Sequence, residues 1–211
     1  MGPVIKRTAD FLLALLALLL LAPILAATAL VVYLTMGSPV LFRQLRAGRN
    51  GKPFSVVKFR SMRDGRDAEG NLIPDEKRLT TVGQVIRRLK LDELPQLCNV
   101  LVGEMSLIGP RPWPLRPSAQ GNPGEMHRQR VRPGMTGWAQ VGGGTRMDWP
   151  ERIALDIWYV DHWSLALDMV ILIGTLRVVL LGEHPNPNAL SEALTHAERT
   201  YPSGWYLGGR P

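Results

Sequence analysis

Residues 11–34 of this chain, FLLALLALLLLAPILAATALVVYL, are apolar apart from Thr28, and they decide which kind of fold the chain can adopt. These twenty-four residues, as a helix, reach roughly 36 Å, enough to cross a hydrocarbon core of about 30 Å. A cleaved signal peptide is a second reading, because Ala27-Thr28-Ala29 resembles a cleavage site. The apolar run is long and continues past that site, which favours a helix that stays in the membrane.

Pro23 lies at the midpoint of this stretch and leaves two topologies open. Proline removes a backbone donor and can bend a helix sharply, so that each half enters the bilayer and returns. Basic residues flank both ends: Lys6 and Arg7 before the stretch, and Arg43, Arg46 and Arg49 after it. Their preference for the cytoplasmic side favours a re-entrant helix, whereas length alone favours a spanning one.

The length of the chain is sufficient for one compact domain in addition to this membrane element. The chain has 211 residues and 25 Lys and Arg against 18 Asp and Glu, a net charge of +7. This excess favours anionic partners, but the sequence has no nucleic-acid-binding signature, so nucleic acid is disfavoured. The single cysteine, Cys98, excludes an intrachain disulfide and is compatible with a reducing cytosol. We expect Cys98 to have no role other than packing.

Residue patterns predict an α+β fold with a small β element. The predicted elements are a strand over 54–59, a charged loop over 63–78, helices capped by Thr81 and Asp92, an irregular proline-rich segment over 110–123, a buried segment over 135–141, and helices over 149–160 and 164–181. The chain beyond Pro185 is polar and is predicted to be a peripheral tail.

The segment 164–181 is apolar but carries Asp168 and Arg177. These two residues would point to opposite sides of a helix, about half a turn apart in angle, so the segment has no single polar face. It therefore fits a helix buried in protein or one at the membrane boundary better than an amphipathic surface helix. The aromatic residues between 149 and 163 are read either as core residues or as a belt at the lipid headgroups.

The run Leu91-Asp92-Glu93-Leu94-Pro95-Gln96 places two adjacent carboxylates at a predicted helix start. The free N–H groups and the dipole of a helix start favour anions and keep a carboxylate ionised, as a nucleophile or metal ligand requires. The same residue types also serve as an ordinary cap and first-turn acid, and both readings stay open.

Several other residues suit a phosphorylated substrate. Strand alternation puts Lys58 and Arg60 on one face, where they would bind a diphosphate or simply guard a solvated strand edge. Arg111 lies between two prolines that fix the backbone around it. The run Gly142-Gly143-Gly144 would expose backbone N–H groups to a phosphate or serve as a hinge. The four histidines lack metal-ligand spacing and are predicted to be structural or surface residues.

These motifs together resemble the bacterial sugar transferases known as monotopic phosphoglycosyl transferases, in their small catalytic-domain form. The resemblance runs from the apolar stretch almost to Leu181. The motifs that carry it are Phe42-Arg43-Gln44, Lys58-Phe59-Arg60-Ser61-Met62, Leu91-Asp92-Glu93-Leu94-Pro95-Gln96, Gly109-Pro110-Arg111-Pro112, Arg132-Pro133-Gly134, Thr136-Gly137-Trp138-Ala139-Gln140 and Leu155-Asp156-Ile157-Trp158-Tyr159-Val160.

The resemblance implies transfer of a sugar 1-phosphate from a nucleotide diphosphosugar, such as a UDP-sugar, to polyprenyl (undecaprenyl) phosphate, with release of UMP. It implies a membrane-embedded monotopic protein with a re-entrant helix over 1–36 and several helices at the membrane interface. The catalytic domain, over 37–184, would lie on the cytoplasmic face of the bacterial inner membrane, with a tail over 185–211. The oligomeric state stays open.

The resemblance also assigns roles to individual residues. Asp92 would be the nucleophile that forms a phosphosugar intermediate, and Glu93 would hold the Mg²⁺ that members of the family need. The cations Lys58, Arg60 and Arg111 would bind substrate phosphate. These positive charges would offset the repulsion between the carboxylate and the substrate phosphates, both when the intermediate forms and when it reacts with the acceptor.

The chain departs from the family pattern at two places. Ala22-Pro23 stands where many members have Ser-Pro at the membrane break. Gly142-Gly143-Gly144 stands where many have Asn-Gly-Arg, so we expect Arg146 to substitute as a phosphate ligand. Asp168 matches a recurring family acid, and it would either orient an active-site cation or form a structural ion pair.

One rival hypothesis from another class stays open. The chain would then be a non-catalytic membrane module that binds nucleotide sugar or anionic lipid and recruits glycosylation enzymes. Asp92 and Glu93 favour the enzyme, because a binding module has no need of a nucleophile.

Overall fold

The computed structural model describes residues 2–65, 67, 69–71, 73–115 and 122–204. The helices in this part of the chain are α1 (Gly2–Met36), α2 (Asp75–Arg78), α3 (Thr81–Arg88), α4 (Gln96–Val102), α5 (Pro123–Arg128), α6 (Trp138–Val141), α7 (Trp149–Asp161), α8 (Leu165–Leu181) and α9 (Pro187–Thr200). The strands are β1 (Leu41–Ala47), β2 (Pro53–Phe59), β3 (Ser106–Ile108) and β4 (Gly134–Thr136). The predicted mixture of helices with a small β element is confirmed; residues 116–121 of the proline-rich segment lie outside the described part.

Two small sheets position the functional motifs. In the first, β1 and β2 form an antiparallel hairpin whose tight turn holds Asn50 at φ 56° and Gly51 at φ 73°. Asparagine and glycine tolerate this left-handed backbone best. The predicted strand over 54–59 is confirmed, with Phe54 and Val56 buried on one face and Phe59 on the other. This arrangement carries Lys58 to the end of the hairpin.

The second sheet pairs β3 with β4 in parallel, with Ser106 opposite Gly134 and Ile108 opposite Thr136. The carboxyl ends of parallel strands meet at the same edge. The Gly-Pro-Arg-Pro motif after β3 is therefore brought beside the Gly-Trp-Ala-Gln run after β4. This edge supplies Arg111 to the site described below.

Helix α1 is 35 residues long and continues through Pro23. Its residues 4–36 are the one described segment that is apolar and long enough to cross a membrane, judged by length and composition. One helical stripe of α1 packs against the rest of the protein from Ala14 to the end of the helix; its members are Ala14, Leu18, Leu21, Leu25, Ala29, Val32 and Met36. Most other side chains of α1 are exposed. Thr28 is satisfied within the helix, because its hydroxyl donates to the carbonyl of Ile24.

The N-terminal end of α1 is fastened by charged side chains. Arg7 donates to the carbonyls of Val100 and Leu101 at the end of α4. Asp10 accepts hydrogen bonds from the Ser106 hydroxyl and the Leu107 N–H on β3. Because a helix end leaves carbonyls unsatisfied, the arginine both caps α4 and fixes α1.

The C-terminal end of α1 is fastened to the same domain by Arg60. Its guanidinium donates to the carbonyls of Met36, Gly37 and Ser38. A cation at the negative end of a helix is stabilising. The two ends of α1 are far apart because the helix is long. Both ends nevertheless contact the same domain.

Helix α9 covers α7 rather than forming a peripheral tail. Its small residues Ala189, Ala193 and Ala197 are buried in one cluster with Ile153 and Ile157 of α7. The prediction of a peripheral tail is therefore wrong for this helix. The sequence looked polar because only every fourth residue is buried, and those residues are alanines.

The aromatic residues before α8 pack inside the protein. Tyr159 is fully buried, Trp149 and Trp158 pack against the core beneath α9, and Trp163 packs against Tyr159. Of the two readings, the core reading is confirmed. Helix α8 is capped by Ser164, whose side chain accepts a hydrogen bond from the Leu167 N–H.

Helix α8 buries few of its own residues. Asp168 and Ile171 are the buried ones, and large apolar side chains are exposed along it: Met169, Val170, Ile173, Leu176, Leu180 and Leu181. The alternative that α8 is buried in protein is therefore wrong. An exposed apolar surface of this extent marks a contact with a lipid or another apolar partner.

Candidate active site

The segment that leads to Asp92 and Glu93 contains a close contact between α3 and β2 and one residue with unusual backbone angles. Helix α3 lies against the end of β2, and a Cβ at Gly83 would come within 1.9 Å of the Ser61 carbonyl oxygen. After α3, Lys90 has φ 57°, the left-handed region that lysine rarely adopts. This reversal leads into a 3-10 turn over Leu91–Glu93, which directs the two carboxylates inward.

Two predicted caps are corrected by this geometry. Thr80, not Thr81, caps α3, and its hydroxyl accepts a hydrogen bond from the Gly83 N–H. Helix α4 begins after Pro95, so Asp92 does not cap it. The intervening 3-10 turn separates Asp92 from the helix start, and sequence patterns rarely distinguish such a turn from a first helical turn.

A cavity of about 390 Å³ opens at Asp92, and we name it the cationic cavity. Its lining includes six basic residues, Arg46, Lys58, Arg60, Arg78, Arg87 and Lys90, against three acids, Asp64, Asp92 and Glu93. Lys58 and Arg60 therefore do share one face, as strand alternation predicted. Burial and the nearby charge of Arg111 lower the pKa of Arg46, a sign that positive charge is crowded here.

Asp92 is buried in the wall of this cavity, with 8% of its surface exposed. Its Oδ1 atom has no hydrogen-bond partner. Burial and the neighbouring Glu93 raise the pKa of Asp92, against the opposing charges of Lys58 and Arg87. We expected a helix start to favour the ionised form of this carboxylate, whereas burial shifts its pKa in the opposite direction. A buried carboxylate oxygen without a donor is costly, so it calls for an explanation, and a catalytic role is one.

Glu93 has the opposite electrostatics. Lys58 donates to its Oε1 at 2.8 Å, and Arg111 donates to Oε1 at 2.5 Å and to Oε2 at 3.3 Å. Burial raises the pKa of Glu93, but the charges and hydrogen bonds of Arg111 and Lys58 outweigh burial and bring the pKa to about 2. Glu93 is therefore ionised at neutral pH, and its charge is compensated twice.

A second cavity, of about 380 Å³, lies on the other side of Glu93, and we name it the apolar cavity. Its apolar wall includes Leu94, Leu107, Met135, Leu172, Val178 and Val179, the last three from α8. Lys90 and Glu93 line both cavities and so form the wall between them. Arg111 faces the apolar cavity.

A buried ion pair holds the segment that carries Arg111. Arg128 on α5 and Asp156 on α7 are 2.7 Å apart, and their side chains are 3% and 2% exposed. Arg128 also donates to the carbonyl oxygen of Arg111 at 2.6 Å and stacks on the Trp113 ring. The pair therefore fixes the backbone from which Arg111 reaches Glu93.

The carboxylate of Glu183 fills the space beside the glycine run that precedes Arg146. Gly144 has φ 56°, and a Cβ there would lie 2.5 Å from the carboxylate of Glu183. Glu183 accepts hydrogen bonds from the N–H and hydroxyl of Thr145. Arg146 is exposed and absent from the lining of both cavities, whereas Arg152 lines the apolar cavity. The role of Arg146 as a substrate phosphate ligand therefore stays a prediction, and its position outside both linings does not support it.

Arg60 and Asp168 are engaged elsewhere. Arg60 lines the cationic cavity, and its guanidinium also donates to the carbonyls at the end of α1. Its role as a substrate phosphate ligand stays a prediction. Asp168 pairs with Lys6 at 2.6 Å and accepts hydrogen bonds from Tyr159 and Trp163. Of the two roles considered for Asp168, the structural ion pair is the one observed, and it joins α8 to α1.

The cysteine and the histidines lie outside the site. Cys98 is exposed, so the expectation that it packs is wrong. His127 bridges Tyr201 and Asp161, and His196 also contacts Asp161. Within the described residues no group of three or more His, Cys, Asp or Glu side chains is placed to hold a metal ion.

Several lining residues were not singled out by any sequence pattern. Arg46, Arg78, Arg87 and Arg152 line the cavities from four separate elements, and Glu183 follows α8. None belongs to a spacing pattern of its own. A single hint was available, because Arg46 closely follows the Phe42-Arg43-Gln44 motif.

Comparison with known proteins identifies relatives of this chain. Residues 1–182 match the family described as bacterial sugar transferase. "Uncharacterized sugar transferase EpsL" of Bacillus subtilis (strain 168) is 48% identical over 180 residues, which cover 85% of this chain and 89% of that protein.

Two further relatives have more specific names. "UDP-N-acetylgalactosamine-undecaprenyl-phosphate N-acetylgalactosaminephosphotransferase" of Aeromonas hydrophila is 42% identical, over 84% of this chain and 44% of that protein. "UDP-glucose:undecaprenyl-phosphate glucose-1-phosphate transferase" of Escherichia coli (strain K12) is 41% identical, over 82% of this chain and 39% of that protein. The chain thus spans less than half the length of these two relatives. It belongs to the bacterial sugar transferase family.

Proposed function

We propose that this protein transfers a sugar 1-phosphate from a UDP-sugar to undecaprenyl phosphate and releases UMP, as the first step of glycoconjugate synthesis. The observation that carries the proposal is the unpartnered, buried Oδ1 of Asp92 beside a Glu93 whose charge is compensated by Lys58 and Arg111. The names of the relatives support the same class of reaction.

In the first step, a carboxylate oxygen of Asp92 attacks the phosphorus that carries the sugar. The bond from that phosphorus to the oxygen bridging the two phosphates breaks, and UMP leaves with the bonding electrons. An acyl-phosphate on Asp92 remains. Lys58 and Arg111 lower the repulsion between the anionic nucleophile and the diphosphate. Together they carry two positive charges, and Glu93 neutralises only one of them.

In the second step, a phosphate oxygen of undecaprenyl phosphate attacks the same phosphorus. The bond from phosphorus to the Asp92 oxygen breaks, the carboxylate is restored, and undecaprenyl diphosphosugar leaves. Two steps let one carboxylate serve both substrates, so the two anionic substrates need not occupy the site together.

The residues present fit a Mg²⁺ ion. Magnesium is bound in proteins by one or two carboxylates together with waters and substrate phosphates. Asp92 and Glu93 are adjacent, and Asp92 has an oxygen without a partner. Glu93, and Asp92 before it reacts, would hold the ion. When bound, it would supply positive charge against the diphosphate and its leaving group.

We further propose that α1 is re-entrant and that the catalytic domain lies on the cytoplasmic face of the inner membrane. A straight helix of 35 residues would measure about 52 Å. If it crossed the bilayer, the domain packed along its whole length would bring Lys58 and Arg87 into hydrocarbon, where charges are very costly. The basic residues near both ends of α1 favour the cytoplasmic side.

Cysteine labelling tests this topology. In a Cys98→Ser background, we expect cysteines at Val4 and Asn50, both exposed, to react equally with a membrane-impermeant maleimide in inverted vesicles and to be protected in intact cells. Labelling of the two positions from opposite sides would establish a spanning helix instead.

The activity itself is tested by adding UDP-sugars labelled in the sugar to the purified protein with Mg²⁺. Without acceptor, we expect UMP release of about one equivalent per protein and label bound to the protein. With undecaprenyl phosphate, we expect turnover and transfer of label to lipid. A protein that binds the UDP-sugars or anionic lipid but releases no UMP from any of them would instead be the non-catalytic module.

A further inference from the structure

We propose that the two cavities divide the substrates: the cationic cavity binds the nucleotide diphosphate of the donor, and the apolar cavity binds the phosphate and first isoprene units of the acceptor. This inference rests on the proposed function and assigns a separate site to each of its substrates. It predicts that each site can be impaired without the other.

The charges of the two cavities differ. The cationic cavity has six basic residues against three acids, whereas the apolar cavity has three of each: Lys90, Arg111 and Arg152 against Glu93, Asp156 and Glu183. A nucleoside diphosphate is a hydrophilic ligand with multiple negative charges, and it therefore favours the cavity with the excess of positive charge. Its basic side chains also include charge-bearing donors for the diphosphate oxygens, such as Lys58 and Arg46.

The walls of the apolar cavity suit a lipid chain. Three of its residues, Leu172, Val178 and Val179, come from α8, the helix whose outer face is apolar and exposed. A ligand in this cavity would thus be in contact with the helix that we expect to border lipid. An isoprenoid phosphate matches this combination, because it has an apolar chain and one anionic head group that Arg111 can bind.

The shared wall explains how two separate sites can serve one nucleophile. Lys90 and Glu93 line both cavities, and Asp92 precedes Glu93 in the same 3-10 turn. A phosphate in either cavity would therefore lie near the turn that carries Asp92. The donor could enter from the aqueous side and the acceptor from the lipid side.

Filling the apolar cavity tests the division. Val179→Trp, at a residue that is 53% exposed, adds bulk to its wall, and Leu172→Trp is a second variant at another position of the same wall. Leu180→Trp is the matched control, because Leu180 is on the same helix, 80% exposed and outside the lining. Two reactions are measured for each protein in detergent micelles: exchange of labelled UMP into the UDP-sugar without acceptor, and transfer to undecaprenyl phosphate.

We expect both cavity variants to raise the KM for undecaprenyl phosphate about tenfold, equivalent to about 1.4 kcal/mol of binding free energy. The rate of UMP exchange should stay within about twofold of wild type, and the control should match wild type in both reactions. Slower exchange with an unchanged acceptor KM would reverse the assignment. Parallel loss of both reactions, or no change in either variant, would also overturn it. Absence of exchange in the wild-type protein would instead refute the proposed function.

Discussion

Asp92→Asn is expected to lower the rate of sugar-phosphate transfer by more than about a thousandfold, because a neutral amide cannot form the acyl-phosphate. The substitution keeps the shape of the side chain, so the cavity and its cations should be unchanged. UMP release without acceptor should disappear together with the label on the protein. Both are measured in a single turnover with a labelled UDP-sugar.

The matched control for this variant is Glu76→Gln, which makes the same carboxylate-to-amide change at an exposed position of α2. It should retain wild-type rates. Thermal unfolding should show that Asp92→Asn is folded. We even expect it to be slightly more stable, since a buried carboxylate with an unpartnered oxygen is replaced by a neutral group. Normal turnover by a folded Asp92→Asn protein would refute the nucleophile assignment.

Asp156→Ala is expected to lower the free energy of unfolding by about 3–5 kcal/mol, because it leaves the Arg128 guanidinium buried without its counter-ion. For a chain of this size the loss corresponds to a fall in Tm of about 10 °C. Thermal unfolding in detergent, followed by circular dichroism, measures the change. Activity should fall as well, because Arg128 also holds the carbonyl of Arg111.

The double variant Arg128→Met/Asp156→Leu separates stability from activity. Replacing both charges by apolar residues removes the uncompensated ion, so most of the lost stability should return. Transfer should stay impaired, since no guanidinium fixes the Arg111 backbone. If Asp156→Ala unfolds at the wild-type temperature, the pair does not support the fold in the way described.

Local patterns predicted much of the fold. Alternation located the strand at 54–59, and helical periodicity located α3, α7 and α8. These features depend on neighbours in sequence, which is why they could be read directly. The adjacent carboxylates Asp92 and Glu93 stood out for the same reason.

Long-range packing escaped prediction. Helix α9 looks polar because its buried face consists of alanines, and its burial depends on the shape of α7. Arg60 was assigned to substrate because its charge is visible in the sequence, whereas its partners are backbone carbonyls of another segment. The pKa of Asp92 was expected to be low from the helix start, but its burial is a property of the assembled site.

The contact between Gly144 and Glu183 has a consequence for how this family diversifies. A side chain at position 144 would meet the carboxylate of Glu183, the flexible end of that side chain, which would have to swing aside. The two sites should therefore show epistasis, because the cost of a substitution at 144 depends on the residue at 183. Substitutions at these two positions are expected to be coupled among related chains.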